Sequence, residues 1–495
     1  IERVSVLEQG EWKTDLGSWL LMVLEVHGTD GATTSYFLPL AVAWDERGAE
    51  EHLSALRPWA VARVRRQARM GILFDAFGDQ AFIKALVAAM AKPHELPFGS
   101  GRLQFVTTSA YTGLAGETLG AHVELPRVEQ SNSSAVLGGK LFVKGYRRLH
   151  AGINAELEMG RFLTEVSPFP HIAPLAGALE YRHAEGHIRS LALVQAYVEN
   201  EGDAWSYTLA YLERFLGGCV ADHPESCGPD KNIGEGSHPV YLTLIRTLGR
   251  RTAGLHRALA RATGDPAFDP EPVRPEDVAA WLSGVQQDVH VSLDRLERQT
   301  PVLPTTLQAA AERLAGLREM LLSRLQTLNF VGLEAAKTRY HGDLHLGQVL
   351  LAGDEVVFVD FEGEAARPLA ERRSKHSPLR DVAGMLRSFD YAAAAALNRC
   401  TQERPSEADT LRAFAEGWRH EVSEAFLESY RAEAAGCASF PQDPAHARDL
   451  IQLFTLEKAF YELRYEMDHR PDWIALPLEG LLEMLAHVLV DKRSP

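Results

Sequence analysis

Residues 341–348 read His341-Gly342-Asp343-Leu344-His345-Leu346-Gly347-Gln348, and the chain continues through Val356-Val357-Phe358-Val359 into Asp360-Phe361-Glu362-Gly363. Moving a phosphoryl group from ATP to a hydroxyl needs a carboxylate that accepts or orients the hydroxyl proton, and magnesium held against the phosphates. Where one loop supplies these groups, the amide ligand follows the catalytic Asp by five positions. That position after Asp343 is Gln348, whose amide oxygen is a hard donor suited to Mg2+. Asp360 ends the apolar strand that follows, where a second metal ligand belongs. A lone His-Gly-Asp is an ordinary Asx turn, but a turn explains neither the amide, nor the strand, nor the second Asp. Asp343 is therefore the expected catalytic carboxylate, with Gln348 and Asp360 as metal ligands and ATP with Mg2+ as cofactors.

The phosphate-holding groups must lie upstream. Gly138-Gly139-Lys140 is not a Walker A loop, which requires Gly at 134 and Ser or Thr at 141 where this chain has Ser134 and Leu141. Glu129-Gln130-Ser131-Asn132-Ser133-Ser134 fits better as a turn over the phosphates, with Ser131, Asn132, Ser133 and Ser134 as donors. Lys144 would lie on the returning strand, with Glu158 of the next helix as its ion-pair partner. Gln195-Ala196-Tyr197-Val198 is placed as the adenine-binding hinge, which acts through backbone groups, and Phe142 and Leu193 suit ordinary core positions and adenine walls equally well.

The acceptor belongs near Asp343. In a helix from Asp449 to His469, Leu456, Phe460, Leu463 and Met467 form one apolar face. Lys458, Tyr461 and Tyr465 take the other face, with Glu462 at its edge, and offer a sugar donors and an aromatic surface. His345 is grouped with these acceptor-binding residues. Asp381 is expected to cap a helix and brace the catalytic loop. Arg380 serves either support or acceptor contact.

The elements that must hold these groups follow a plan. Residues 1–102 read as an N-terminal α/β cap, with strands at Trp19–Val26 and Tyr36–Trp44 and helices at Pro58–Gln67 and Asp79–Ala91. Pro93, Pro97, Gly99 and Gly101 mark its end. Residues 103–199 read as a small β-rich ATP-binding lobe, with a hairpin turning at Gly138-Gly139, a helix at Asn154–Leu163, and strands near Ala176–Tyr181 and Ser190–Tyr197. Residues 200–495 read as a large helical lobe for catalysis and acceptor binding, with helices at Ala204–Gly217, Tyr241–Ala260, Val278–Arg298 and Thr306–Leu328. The fold class is α+β: a protein-kinase-like, bilobal fold with an α/β cap.

Bulk properties narrow the function further. The net charge of −16, from 51 basic and 67 acidic residues, leaves no basic field for a nucleic-acid or anionic-membrane partner. Cys219, Cys227, Cys400 and Cys437 form no Cys-x-x-Cys pair, and Cys219, His223 and Cys227 fall short of the four ligands a structural zinc needs. Reduced cysteines and a cytoplasmic location are expected. No apolar run approaches the ~20 residues of a membrane span, and no signal peptide is visible.

Tyr340 to Tyr391 resembles the bacterial maltokinases, within the broader aminoglycoside-phosphotransferase-like group. The likeness rests on the block 341–348, on Asp360-Phe361-Glu362-Gly363-Glu364, on Leu369-Ala370-Glu371-Arg372-Arg373, and on Ser377-Pro378-Leu379-Arg380-Asp381 through Tyr391. Gln348 stands where the broader group usually carries Asn. Gln130 to Ser134, Glu457-Lys458-Ala459-Phe460-Tyr461-Glu462 and Arg470-Pro471-Asp472-Trp473 extend it. The resemblance implies that ATP and maltose give ADP and maltose 1-phosphate, phosphorylated at the anomeric hydroxyl and feeding α-glucan synthesis. It also implies trehalose synthase as a partner, in a complex or a fusion, and a start at Ile1 suits an excised half of such a fusion. Glu457, Glu462 and Glu466 suit the alternative of a glucosamine or aminoglycoside-like kinase, because an amine calls for carboxylates. A non-catalytic subunit of a glucan-synthesis complex is the remaining alternative.

Overall fold

The computed structural model describes residues 1–45, 50–115, 118, 120–125, 132–221 and 238–490. These fall into two compact units, residues 1–199 with 365–372, and residues 200–364 with 373–495.

The first unit is built on two antiparallel sheets. One contains β1 (Arg3–Thr14), β2 (Gly17–His27), β3 (Thr33–Trp44), β4 (Ala60–Arg66) and β5 (Arg69–Asp75), in the order β1-β2-β3-β5-β4. Trp19, Leu21 and Val23 alternate into the core along β2, the period expected of a half-buried strand. The segment after Pro58 is a strand, not the expected helix. Only a single 3-10 turn, Arg57–Trp59, precedes β4. Pro58 sits in the first turn as a proline can, but Ala62, Arg63, Val64 and Arg65 then pair with β5. Helix α1 (Glu50–Leu56) comes before β4, and α2 (Gln80–Ala89) follows β5, capped by the Asp79 side chain on Ala81 N–H.

The second sheet holds β6 (His94–Phe98), β7 (Gly101–Thr107), β8 (Val123–Glu124), β9 (Ser133–Leu137), β10 (Leu141–Gly145), β12 (Leu175–His183) and β13 (Ile188–Ala196), in the order β6-β7-β12-β13-β10-β9-β8. The short β11 (Arg148–Leu149) pairs with β3. Helix α3 is Ser109–Ala115 and α4 is Ala155–Arg161. The glycine- and proline-rich stretch expected to end the cap forms the β6–β7 hairpin instead. Cap and small lobe thus lie in one compact unit with a shared core, in which Trp12, Trp19, Phe82 and Phe105 pack ring to ring.

The second unit is mainly helical: α5 (Ala204–Ala221), α6 (Pro239–Leu259), α7 (Pro275–Gln299), α8 (Thr305–Gly316) and α9 (Arg318–Gln326). The helix expected over Thr306–Leu328 is therefore two, broken at Gly316-Leu317. The two-residue strands β14 (Glu271–Pro272) and β15 (Ala336–Lys337) pair, as do β16 (Val349–Ala352) and β17 (Glu355–Phe358). After α10 (Leu369–Arg372), which belongs to the first unit, come α11 (Leu379–Glu403), α12 (Ala408–Ala434), α13 (Pro444–His469) and α14 (Ala475–Val490). The apolar face expected on α13 is its core face, with Leu456, Phe460, Leu463 and Met467 all buried. Among the described residues, no helix is long and apolar enough to cross a membrane.

Candidate active site

In the second unit, Tyr340 to Gln348 form a loop that ends in a 3-10 turn. Gly342 takes a φ of +86°, a left-handed conformation that a side chain would strain, and so turns the chain into Asp343. The loop is braced from α11. Buried Asp381 accepts His341 N–H at 2.7 Å and Gly342 N–H at 2.9 Å, and lies 3.1 Å from His256 Nε2. Burial works against its charge, but the His256 hydrogen bond and the backbone donors prevail, and the carboxyl sits below its ordinary value. Asp381 thus holds the loop through that loop's own N–H groups and not as the cap of α11, whose N-cap is Pro378. Ser388, two turns along α11, accepts Leu346 N–H at 3.0 Å.

β16 and β17 place the metal-ligand candidates. Gln348 immediately precedes β16, and Asp360 lies two residues past β17. Gln348 Nε2 donates to Asp360 Oδ2 at 3.2 Å, which brings the two side chains together. Asp360 has a φ of +63°, one of only two non-glycine residues in that region among the described residues. Backbone strain of this kind concentrates where a side chain must be aimed. An amide oxygen and a carboxylate are the oxygen donors that Mg2+ prefers, so the residues present fit that ion.

Asp343 has a partner that its own loop does not provide. Lys458 of α13 donates to Asp343 Oδ1 at 3.0 Å and to Glu364 Oε1 at 2.6 Å. Burial opposes the ammonium charge, but Glu364 and Asp343 outweigh it and hold Lys458 protonated far above neutral pH. Lys458, expected on the acceptor face, touches the expected catalytic carboxylate Asp343 itself. Its ammonium also lies 4.9 Å from the Tyr461 ring centre, and Tyr461 stacks on Tyr465 at 6.4 Å. His345 Nδ1 accepts Gly347 N–H at 3.1 Å, and its Nε2 lies 3.9 Å from Asp343. Burial lowers its pKa, so the ring is neutral near pH 7. Arg380 forms a two-pronged pair with Glu457 of α13 and donates to Tyr340 Oη at 2.9 Å. It ties α11, α13 and the catalytic loop together.

In the first unit, Lys144 lies on β10 opposite Ser134 of β9, and the turn between those strands has positive φ at Gly138 and Gly139. Lys144 Nζ pairs with Glu156, at 2.7 Å, two residues before the expected Glu158. Asn154 caps α4, and from that start Glu156 is buried while Glu158 is half-buried. Tyr146 Oη donates to the same Glu156 oxygen at 2.6 Å. Ser131 lies outside the described residues. Asn132 immediately precedes β9, whereas Ser133 and Ser134 are buried strand residues, and Arg147 Nε donates to Ser133 Oγ at 2.9 Å. These two serines therefore belong to the sheet and not to a turn. Gln195 pairs with Phe142 across β13 and β10, and Tyr197 N–H donates to Lys140 C=O at 2.8 Å.

Sequence reasoning missed Glu364, Glu156 and Arg387. Glu364 follows the Asp360 block directly, which was its available signal. Arg387 is fully buried on α11 and pairs with Glu462 of α13 at 2.9 Å and with Asp390 at 2.8 Å; its sequence neighbours give no hint of this.

No family model matches the chain. It is 26% identical over 443 residues to a glucosamine kinase of Streptacidiphilus jiangxiensis, covering 88% of this chain and 87% of that protein. It is 26% identical over 362 residues to a glucosamine kinase of Mycolicibacterium smegmatis, covering 72% and 78%. A solved glucosamine kinase in complex with glucosamine, ADP and inorganic phosphate superposes with a TM-score of 0.63 at 21% identity, over 98% of this chain and 94% of that one. A second crystal form of glucosamine kinase gives 0.65 at 20% identity, over the same shares. The fold of this chain is that of these kinases, the α+β class expected from its sequence.

Proposed function

We propose that this protein transfers the γ-phosphoryl group of ATP to a hydroxyl of a sugar, with an aminosugar such as glucosamine as the foremost acceptor. The observation that carries the reading is the Asp343–Lys458–Glu364 cluster at the end of a loop that also delivers Gln348 to Asp360. Asp343 would take or orient the proton of the attacking hydroxyl. Lys458 holds that carboxylate in place, and its ammonium would stand where negative charge gathers during transfer. Mg2+, when bound by Gln348 and Asp360, supplies charge neutralisation at the phosphates. In the first unit, the Lys144–Glu156 pair supplies the phosphate-holding lysine that ATP-dependent transfer uses. The similarity to glucosamine kinases over most of the chain supports the acceptor class.

Maltose, giving maltose 1-phosphate for glucan synthesis with trehalose synthase as partner, is the second reading. What favours it is a row of rings running along α13 away from Lys458. Tyr461 stacks on Tyr465, and Tyr465 stacks on His469 at 4.5 Å, a surface long enough to carry a second sugar ring. Competition among glucosamine, maltose and glucose at equal concentration, read as kcat/KM, decides between the readings. The aminosugar reading expects glucosamine to lead by tenfold or more. A lead for maltose of that size would overturn it and leave the kinase reading in place.

A further inference from the structure

Helices α11 and α13 face each other through paired polar residues that advance together along both chains. Arg380 meets Glu457, and Arg387 meets Glu462. One turn further on each helix stand Tyr391 and Glu466, and here the pattern is open. Tyr391 Oη and Glu466 Oε2 are both buried, and neither has a hydrogen-bond partner. Glu466 is only 6% exposed, so it is cut off from the water that would otherwise solvate it. A buried carboxylate oxygen left unpaired carries a desolvation cost that nothing offsets.

The other buried and half-buried carboxylates of these two helices have hydrogen-bond donors. Asp381 has His256 and the loop N–H groups, and Asp390 has Arg387 and Arg419. Asp449 accepts Asn329 N–H, and Glu457 and Glu462 have their arginines. The reaction-centre carboxylates, Asp343 and Glu364, share Lys458. Arg470 and His469 are the cations that influence Glu466, and neither lies within ion-pair distance of it; the Arg470 guanidinium is placed over the Tyr465 ring, and His469 Nδ1 lies 3.1 Å from Tyr465 C=O. Tyr391 feels the charges of Glu462, Arg387, Glu466 and Lys458 together, so the open position belongs to the charged cluster that runs along α11 and α13.

We infer that Glu466 and Tyr391 form an ammonium-binding subsite in which the acceptor itself supplies the missing cation. An ammonium has three donors and a full charge, and so can satisfy the Glu466 carboxylate and the Tyr391 hydroxyl oxygen together. The inference builds on the aminosugar reading and names the residues that impose it. Glu457 and Glu462, although also acidic and on the same helix, are already neutralised and do not perform this task.

The test compares glucosamine with glucose, which differ at the amine, by calorimetric binding to the whole protein and by kcat/KM. The wild type is expected to bind glucosamine at least tenfold tighter than glucose. Glu466→Gln preserves shape and hydrogen bonding but removes the charge, and should collapse that preference to within about twofold while leaving KM for ATP unchanged. Tyr391→Phe, which retains the charge, should weaken glucosamine binding about threefold or more and serves if the first variant fails to fold. Equal binding of the two sugars to the wild type would overturn the subsite, as would a Glu466→Gln protein that keeps its preference. Absence of turnover with either sugar would overturn the kinase reading instead, with the binding comparison still deciding the subsite.

Discussion

Asp343 is the residue on which the proposed chemistry turns, and its surroundings set what its loss should do. It touches Lys458 and lies near His345, so Asp343→Asn keeps the side-chain volume and can still accept a hydrogen bond from Lys458. The general-base contribution disappears, and kcat should fall by ~10²–10⁴-fold. KM for ATP should stay within about twofold, since the adenine and phosphate contacts assigned above lie elsewhere. If kcat held and only the KM for sugar rose, Asp343 would be an acceptor ligand and no more. Asp360→Asn should behave differently. It removes the one charged donor of the Gln348–Asp360 pair, so activity should fall steeply and the Mg2+ concentration for half-maximal rate should rise. Near-normal turnover at saturating Mg2+ would remove Asp360 from the metal role.

At the scale of elements, α4 and α11 give sharper tests than any single side chain. Glu156→Ala would leave Lys144 buried without its carboxylate, with side chains only 12% and 7% exposed. Breaking such a pair costs ~3–5 kcal/mol. A large drop in unfolding temperature and a higher KM for ATP are expected. An unchanged unfolding temperature would contradict a buried Lys144–Glu156 pair. The Asp381 brace predicts a pH signature. Its folded pKa lies below the ordinary 3.8, so its stabilisation is complete above that value and disappears as pH falls through the lower folded value. Asp381→Asn should therefore cost ~2–3 kcal/mol at pH 7, with the gap to the wild type narrowing below about pH 4. A gap independent of pH would show that the charge does not contribute.

These elements also show what a sequence can reveal. The catalytic loop, Gln348 and Asp360 were legible because one loop and one hairpin carry them, at spacings fixed by local geometry. Lys144 was legible from its strand, but its partner was not. Choosing between Glu156 and Glu158 requires knowing that Asn154 caps the helix, since two residues turn the side chain by about 200°. The Lys458 link to Asp343 spans 115 residues, and nothing local marks it. The β4 strand was hidden by Pro58, which opens helices and 3-10 turns alike. Arg387 was invisible because a buried arginine is justified only by partners that the fold brings from elsewhere.

For the whole molecule, the acidity and the fold constrain function together. A net charge of −16 argues against a polyanionic partner, while local cations such as Lys144 and Lys458 are each held by carboxylates. The shared fold with glucosamine kinases extends over nearly all of the chain, yet at about one residue in five identical it leaves the acceptor to be read from the residues on α11 and α13. The central claim, phosphoryl transfer from ATP to a sugar, is tested most directly by 31P NMR of the protein incubated with ATP, Mg2+ and glucosamine. A sugar-phosphate resonance growing in step with ADP, and absent with Asp343→Asn, is the predicted result. Inorganic phosphate as the only new product, or no consumption of ATP with glucosamine, maltose or glucose, would contradict it.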